Sequence, residues 1–307
     1  MLKSNILLLI TAAIWGSAFV AQRVGMDYIG PFTYSGIRFL IGGLALIPIA
    51  MWIKHWQAKQ LAKGVVRNHE PKEGGAGLIR ASLICGVVLF AGVTLQQVAM
   101  VYTTAGKGGF ITSLYIVLVP IMGLAFKQRA GAGVWLGAFI ALVGLYLLSI
   151  KSDFTLSYGD FLMLIGAFFW AAHVLVIGWV APKYDPVVLS ILQFLICGVL
   201  SMVGAVIYET IVWADVMLAM DSILYAALMS TGVAYTLQVV AQQNAKASHA
   251  AIILSSEAMF AVLAGWLILD EVLTVRGLWG CAFIMTGMLI SQLLPELRLR
   301  RLTNNVS

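Results

Sequence analysis

The sequence predicts an all-α integral membrane protein: ten transmembrane helices in two inverted five-helix repeats. Three observations predict it. Charge is scarce, for only 10% of the 307 residues are charged while 61% are hydrophobic, and the mean hydropathy is +0.97. Soluble proteins carry about 25% charged residues, so too little charge remains for a water-facing surface. The apolar residues fall in runs long enough to cross a bilayer. The runs also occur twice, as two related sets of five.

Taken in order, the spans cover residues 4–23, 32–53, 79–101, 106–126, 131–150, 158–180, 186–207, 222–243, 247–269 and 274–294. Runs of Val, Ile and Leu could also be buried strands, but these lengths and their tolerated glycines favour membrane helices. In-span glycines such as Gly42, Gly43, Gly137, Gly144, Gly280 and Gly287 permit close helix approach. The ninth span, Ala247–Leu269, reads as one continuous helix, closed by Lys246 at one end and by Asp270 and Glu271 at the other.

Ten spans return both termini to one side. Of the 19 Lys and Arg, only Arg23, Lys107, Lys151 and Arg276 fall on the opposite side and Arg38 lies inside a span; the rest sit on the terminal side, many in the loop 54–78 and the C-terminal tail. The excess of basic loops predicts cytoplasmic termini in the cell (inner) membrane. It also accounts for the net charge of +6 without nucleic acid as a partner. Cys85, Cys197 and Cys281 lie in apolar runs and form no CxxC pattern, so they read as small buried hydrophobes. Lys3 alone precedes the first apolar run, and more spans follow; a cleaved signal peptide is not expected.

The two sets match residue by residue. In one ungapped register Trp15 pairs with Trp170, Pro31 with Pro186, Ser35 with Ser190, Phe39 with Phe194, Leu40 with Leu195, Ile41 with Ile196 and Gly43 with Gly198. In a second register Thr94-Leu95-Gln96 recurs as Thr236-Leu237-Gln238, Ser113 pairs with Ser255 and Gly123 with Gly265. Near the end Gly137 pairs with Gly280 and Gly144 with Gly287. The repeats are assigned to 1–150 and 151–307. Five is odd, so the second copy crosses the membrane upside down. Inverted repeats with a site at their interface near the midplane characterise secondary transporters.

Glu257 is the residue the register singles out. It lies about 15 Å below either surface, where an ionisable group costs at least about 2.5–3.5 kcal/mol unless it faces protein or water. It either meets a substrate amine, or carries a coupling proton, or as a neutral acid ties two helices together. Its counterpart is Tyr115, with Thr112 one turn earlier; cavity lining and core packing both suit that phenol. Lys107, counterpart of His249, either attracts a substrate carboxylate or snorkels to the interface. His249 shares a helical face with Ser256 and reads as a proton relay or a polar cap. Arg38, counterpart of Gln193, reads as a structural pin or a gating or substrate contact. His173 beside Trp170 either lines a cavity or bonds a neighbouring helix. Gln96 and Gln238, with Gln97 and Gln242, offer interhelical hydrogen bonds worth about 0.6–2 kcal/mol. Trp15 and Trp170 sit too deep for the interface belt and read as cavity walls or packing. No P-loop, HExxH, GxSxG or cluster of metal ligands occurs in the chain, so no cofactor, no metal and no enzymatic activity are expected.

The segments FITSLYIVLVP (Phe110–Pro120) with Gly123, and AAIILSSEAMFAVLAGWLILDEVLT (Ala250–Thr274), resemble the two EamA-type repeats of the drug/metabolite transporter superfamily. AAIWG (Ala12–Gly16) and Pro31–Leu44 with Arg38 resemble the repeat's opening, and the likeness extends over residues 5–295. It implies ten helices, cytoplasmic termini, a central cavity and mostly export of small metabolites, often amino acids. Where the family often has proline after the glutamate this chain has Ala258, which predicts a less kinked helix. The resulting expectation is a carrier that exports amino acids or related compounds across the bilayer by alternating access. The alternatives are a nucleotide-sugar or drug carrier of the same superfamily, or, from another class, a membrane-embedded enzyme or scaffold.

Overall fold

The computed structural model describes residues 2–62, 75–128, 130–149, 157–268, 272 and 274–304. The assigned repeat boundary at 150/151, residues 63–74 of the basic loop 54–78, Asp270, Glu271 and the last residues of the tail lie outside the described residues. No strand occurs among those described. The first half contains α1 (Leu2–Gly25), α2 (Pro31–Ala62), α3 (Gly75–Ala99), α4 (Ala105–Ser113), α5 (Tyr115–Ala125) and α6 (Ala132–Ser149). The second contains α7 (Tyr158–Val180), α8 (Pro186–Tyr208), α9 (Trp213–Leu218), α10 (Met220–Tyr225), a π-helix π1 (Ala226–Tyr235), α11 (Thr236–Gln242), α12 (Ala247–Leu254), α13 (Glu257–Ile268) and α14 (Val275–Asn304). Eight helical stretches are long and apolar enough to cross a membrane, and two shorter apolar ones, Ala132–Leu147 and Val275–Ser291, complete the ten.

Helix starts follow local chemistry. Pro186 opens α8 behind Asp185, whose carboxylate accepts from Val187 N at 2.9 Å and Val188 N at 3.1 Å. This satisfies amides that have no partner inside the helix. Pro31 opens α2 in the same way, but Gly30 stands where the other half has Asp185. The missing cap comes from far along the chain: Glu209 accepts from Phe32 N and Thr33 N, each at 2.8 Å.

The counterpart helices pack antiparallel, as two copies related by a two-fold axis in the membrane plane must. In the α2–α8 pair Leu40 fits against Gly198 while Leu195 fits against Gly43, and each contact is the image of the other. Phe39 meets its own counterpart Phe194 at 6.0 Å between ring centroids. In the α6–α14 pair a Cβ on Gly144 would come within 2.6 Å of the Gly280 carbonyl oxygen. The image contact, Gly287 against the Gly137 carbonyl oxygen, has 2.5 Å. Glycine is required there because the two backbones touch.

Ala247–Ile268 and Ala105–Ala125 are each one stretch long and apolar enough to cross the membrane, but the helical ladder of each is interrupted by one or two residues. α12 ends at Leu254 and α13 begins at Glu257 without a proline. At the interruption Ser255 Oγ donates to the Ile252 carbonyl at 2.8 Å and Ser256 Oγ to the Ile253 carbonyl at 2.6 Å. Such back-bonding competes with the helical ladder, and the backbone tightens to Ser256 N→Ile253 O at 3.1 Å. The fourth span breaks at the matching place, Leu114, between α4 and α5. The two breaks touch: Ser113 Oγ donates to the Ser255 carbonyl at 3.2 Å, and the two residues stand 142 apart in the chain.

Candidate functional site

A hollow with about 20 Å³ of room for water-sized guests lies between the two halves. Both broken spans reach it, α4–α5 presenting Thr112 and Tyr115 and α13 presenting Glu257. From the first half also come Trp15, Arg38 and Gln96; from the second come Trp170, His173 and Gln238. All its lining side chains are at most 9% exposed. Most of the space consists of slots between side chains, so nothing larger than about a water or two fits without movement. The conformation is therefore shut toward both faces.

Packing fixes the carboxylate. Gly16 brings α1 onto the backbone at the start of α13, where an added Cβ would lie 2.6 Å from the Glu257 carbonyl oxygen and 2.7 Å from Ala261 N. The side chains of Glu257 and Tyr115 are immediate neighbours, close enough to interact with each other, though short of good hydrogen-bond geometry. Neither the Tyr115 hydroxyl nor Glu257 Oε1 completes a hydrogen bond among the described residues. The same holds for Arg38 Nε, Thr112 Oγ1, Trp170 Nε1, His173 Nδ1 and Gln238 Oε1. Buried polar atoms are ordinarily paired, so these unpaired donors and acceptors make the hollow the candidate site for a polar guest.

The amide and imidazole groups have one structural contact each and a free end. Gln96 Nε2 donates to Gln22 Oε1 at 3.0 Å. Gln238 Nε2 donates to Gln242 Oε1 at 2.9 Å, and Gln242 in turn to the Val174 carbonyl at 2.9 Å. His173 Nε2 meets Gln193 Oε1 at 3.0 Å; the histidine thus both bonds a neighbouring helix and lines the hollow. Trp15 Nε1 donates to the Ser230 carbonyl at 3.4 Å.

Three of the residues singled out from sequence do not line the hollow. Ser256 turns its hydroxyl back onto its own helix, and the break at 255–256 removes the single helical face it was to share with His249. His249 lies half-buried in α12. Lys107, at the start of α4, is 40% exposed and its Nζ lies 2.5 Å from Asp160 Oδ2. Asp160 also completes a capping box with Ser157 at the start of α7, so Lys107 has a protein partner where sequence offered only substrate or interface.

Sequence reading missed Phe19, Gln22, Val174, Ser230 and Tyr235, which also line the hollow. Tyr235 is the main omission. Its ring centroid lies 4.5 Å from Trp15, 6.2 Å from Trp170 and from His173, 5.9 Å from Phe39 and 5.8 Å from Phe194. It is the hub of the aromatic wall, and edge-on or offset contacts at such spacings are favourable. The available signal was its position directly before the repeated Thr-Leu-Gln.

The sequence profile of the EamA-like transporter family matches residues 2–150 and again 157–292. A protein of Archaeoglobus fulgidus described as an uncharacterized transporter is 32% identical over 95% of this chain and 86% of its own length. The Bacillus subtilis protein YoaV, also described as a transporter, is 24% identical over 95% of this chain and 97% of its own. A solved crystal structure superposes with a TM-score of 0.73 at 17% identity, covering 95% of this chain and 96% of its own; it shows the same fold.

Proposed function

The chain belongs to the EamA-like transporter family of the drug/metabolite transporter superfamily, and from that we infer that it is a secondary active transporter that exports amino acids or related small metabolites. The observation that carries the reading is the shut hollow between two inverted halves, edged by unpaired donors and acceptors and walled by aromatic rings. A site on the seam of two halves related by a two-fold axis in the membrane plane serves alternating access directly. Tilting one half against the other opens the seam to one face and then, by the same geometry inverted, to the other.

The residues take roles accordingly. Glu257 meets the positive group of the guest, or in its absence a proton, which couples the cycle. Tyr115 and Thr112 offer hydroxyls from the opposite break. Trp15, Trp170 and Tyr235 hold the apolar part, while Gln96, Gln238 and His173 orient the polar part. The basic loops support cytoplasmic termini in the cell membrane, with the lipid bilayer and a small-molecule substrate as partners. No cofactor enters this cycle.

The test is counterflow in sealed proteoliposomes loaded with an unlabelled amino-acid mixture. The wild-type protein is expected to draw labelled amino acid inward transiently against its gradient, as a scaffold or an enzyme does not. Concentrative, pH-driven uptake is expected to vanish in Glu257→Gln. If that variant keeps it, Glu257 does not couple the cycle.

A further inference from the structure

Arg38 is buried more completely than any acid in the hollow, at 1% exposure, and it lines the same space as Glu257. Its guanidinium lies over two rings, 4.9 Å from the Phe39 centroid and 5.7 Å from Tyr34. Among the described residues it forms no ion pair and no hydrogen bond. The ion pairs there are Arg23–Asp27 and Lys107–Asp160, and Arg38 Nε is unpaired. A guanidinium carries five donors in a planar fork and is never neutral in a protein. Ring faces offset part of its charge but accept none of those hydrogen bonds in the way an oxyanion does. The second half places a neutral amide, Gln193, at the equivalent position, and that amide is already engaged with His173.

The hollow is also charge-separated. Tyr235 is an electrostatic neighbour of both Arg38 and Glu257, yet the two charges are not paired with each other. The hollow thus offers a fixed cation and an acid, both neighbours of the aromatic hub and not paired with each other.

Resting on the carrier reading above, we propose that Arg38 is the anion subsite of the hollow, taking the carboxylate of a substrate whose cationic end meets Glu257. A planar carboxylate accepts two parallel N–H bonds from the fork, which gives both charge neutralisation and orientation. The substrate class is a zwitterion with an apolar or aromatic body lying against Tyr235 and the tryptophans. A decarboxylated amine leaves Arg38 unsatisfied, and a site that rejects such an analogue does so because its own buried donor stays unpaired.

The experiment uses the purified full-length protein in nanodiscs. Thermal unfolding and tryptophan fluorescence are read against matched sets: each apolar or aromatic L-amino acid beside its amide and its decarboxylated amine. At least one amino acid is expected to raise the melting temperature by a few degrees, its amide and amine binding about tenfold or more weakly. Arg38→Gln is expected to erase the preference of acid over amide, and Arg38→Lys to retain part of it, since a point charge attracts the carboxylate without the fork. Glu257→Gln is expected to leave that preference in place while weakening the amino acid itself, and this separates the two subsites. The proposal is overturned if the wild-type protein binds acid and amide alike, if Arg38→Gln keeps the preference, or if no carboxylate-bearing member binds. Binding with this preference but no counterflow in sealed vesicles sinks the carrier reading and leaves the subsite standing; counterflow without the preference does the reverse.

Discussion

The fourth and ninth spans are one element met twice, in opposite orientations. Both break at the same register position, and the breaks meet through Ser113 and the Ser255 carbonyl. At the residue after the break one copy carries a phenol, Tyr115, and the other a carboxylic acid, Glu257. The third and eighth spans diverge further: α3 is regular throughout, whereas the eighth runs as a π-helix over Ala226–Tyr235 before its Thr-Leu-Gln. π-Helical turns are rare and gather at functional sites. Here π1 delivers the Ser230 carbonyl to Trp15 and Tyr235 to the aromatic wall. The comparison teaches that the scaffold keeps its symmetry, in glycine crossings and matched breaks, while the chemistry is spread unequally over equivalent positions.

Exchanging chemistry between equivalent positions tests this most strongly at the breaks. Glu257→Gln is expected to cut pH-driven transport by about tenfold or more, since a charge-assisted contact is worth about 1.5–3 kcal/mol. Tyr115→Phe removes one neutral hydrogen-bonding group and is expected to cost about 2–10-fold. Equal losses measured in proteoliposomes would erase the distinction between the two breaks.

Next comes the hub. Replacing Tyr235 with valine, the residue at its counterpart Val93, is expected to destabilise the protein by about 2–4 kcal/mol, as removal of a large buried side chain does. It should also alter the fluorescence of Trp15 and Trp170. A thermal midpoint like that of the wild type would show that the ring is not structural.

The symmetric part has its own test. Gly144→Ala and Gly287→Ala are images of each other, and each places a Cβ against a carbonyl oxygen of the facing helix. They are expected to destabilise by equal amounts, about 1–3 kcal/mol each. Gly123→Ala, whose nearest neighbour would lie 3.6 Å away, is expected to be tolerated. Unequal losses at 144 and 287, read as thermal midpoints, would break the two-fold relation there.

The smallest effect is expected at the mouth. Lys107–Asp160 links α4 to α7, and the equivalent positions on the other face are His249 and Asn5, neither of which is a fixed charge. Lys107 is 40% exposed, so Lys107→Gln is expected to cost no more than about 1 kcal/mol. Asp160→Asn is expected to cost more, because Asp160 also closes the capping box at Ser157. Chemical denaturation of the two variants ranks them.

The fold was legible in the sequence because membrane helices announce themselves by length, and because Trp, Pro and Gly repeat at fixed spacing. The inversion followed from an odd number of spans. Much of the lining was legible too: a lone acid in a bilayer-length apolar run has few harmless places to go, and the register led from Glu257 to Tyr115. The breaks were not, since serines that hydrogen-bond back onto their own helix also occur in unbroken helices such as α1 and α14, and the absent proline pointed the other way. Nor was the π-helix, which has no compositional signature here. Tyr235 was hidden because nothing in its own repeat marks it, its counterpart being a valine. Lys107 was placed at the correct end of its helix but without its partner, because Asp160 lies 53 residues further along in a helix that nothing in the sequence docks against α4.

The contact between Ser113 and the Ser255 carbonyl sits where the two halves map onto each other. On the alternating-access reading proposed above, this bond joins the halves at their meeting point, and a substitution at Ser113 is expected to change how quickly the carrier turns over.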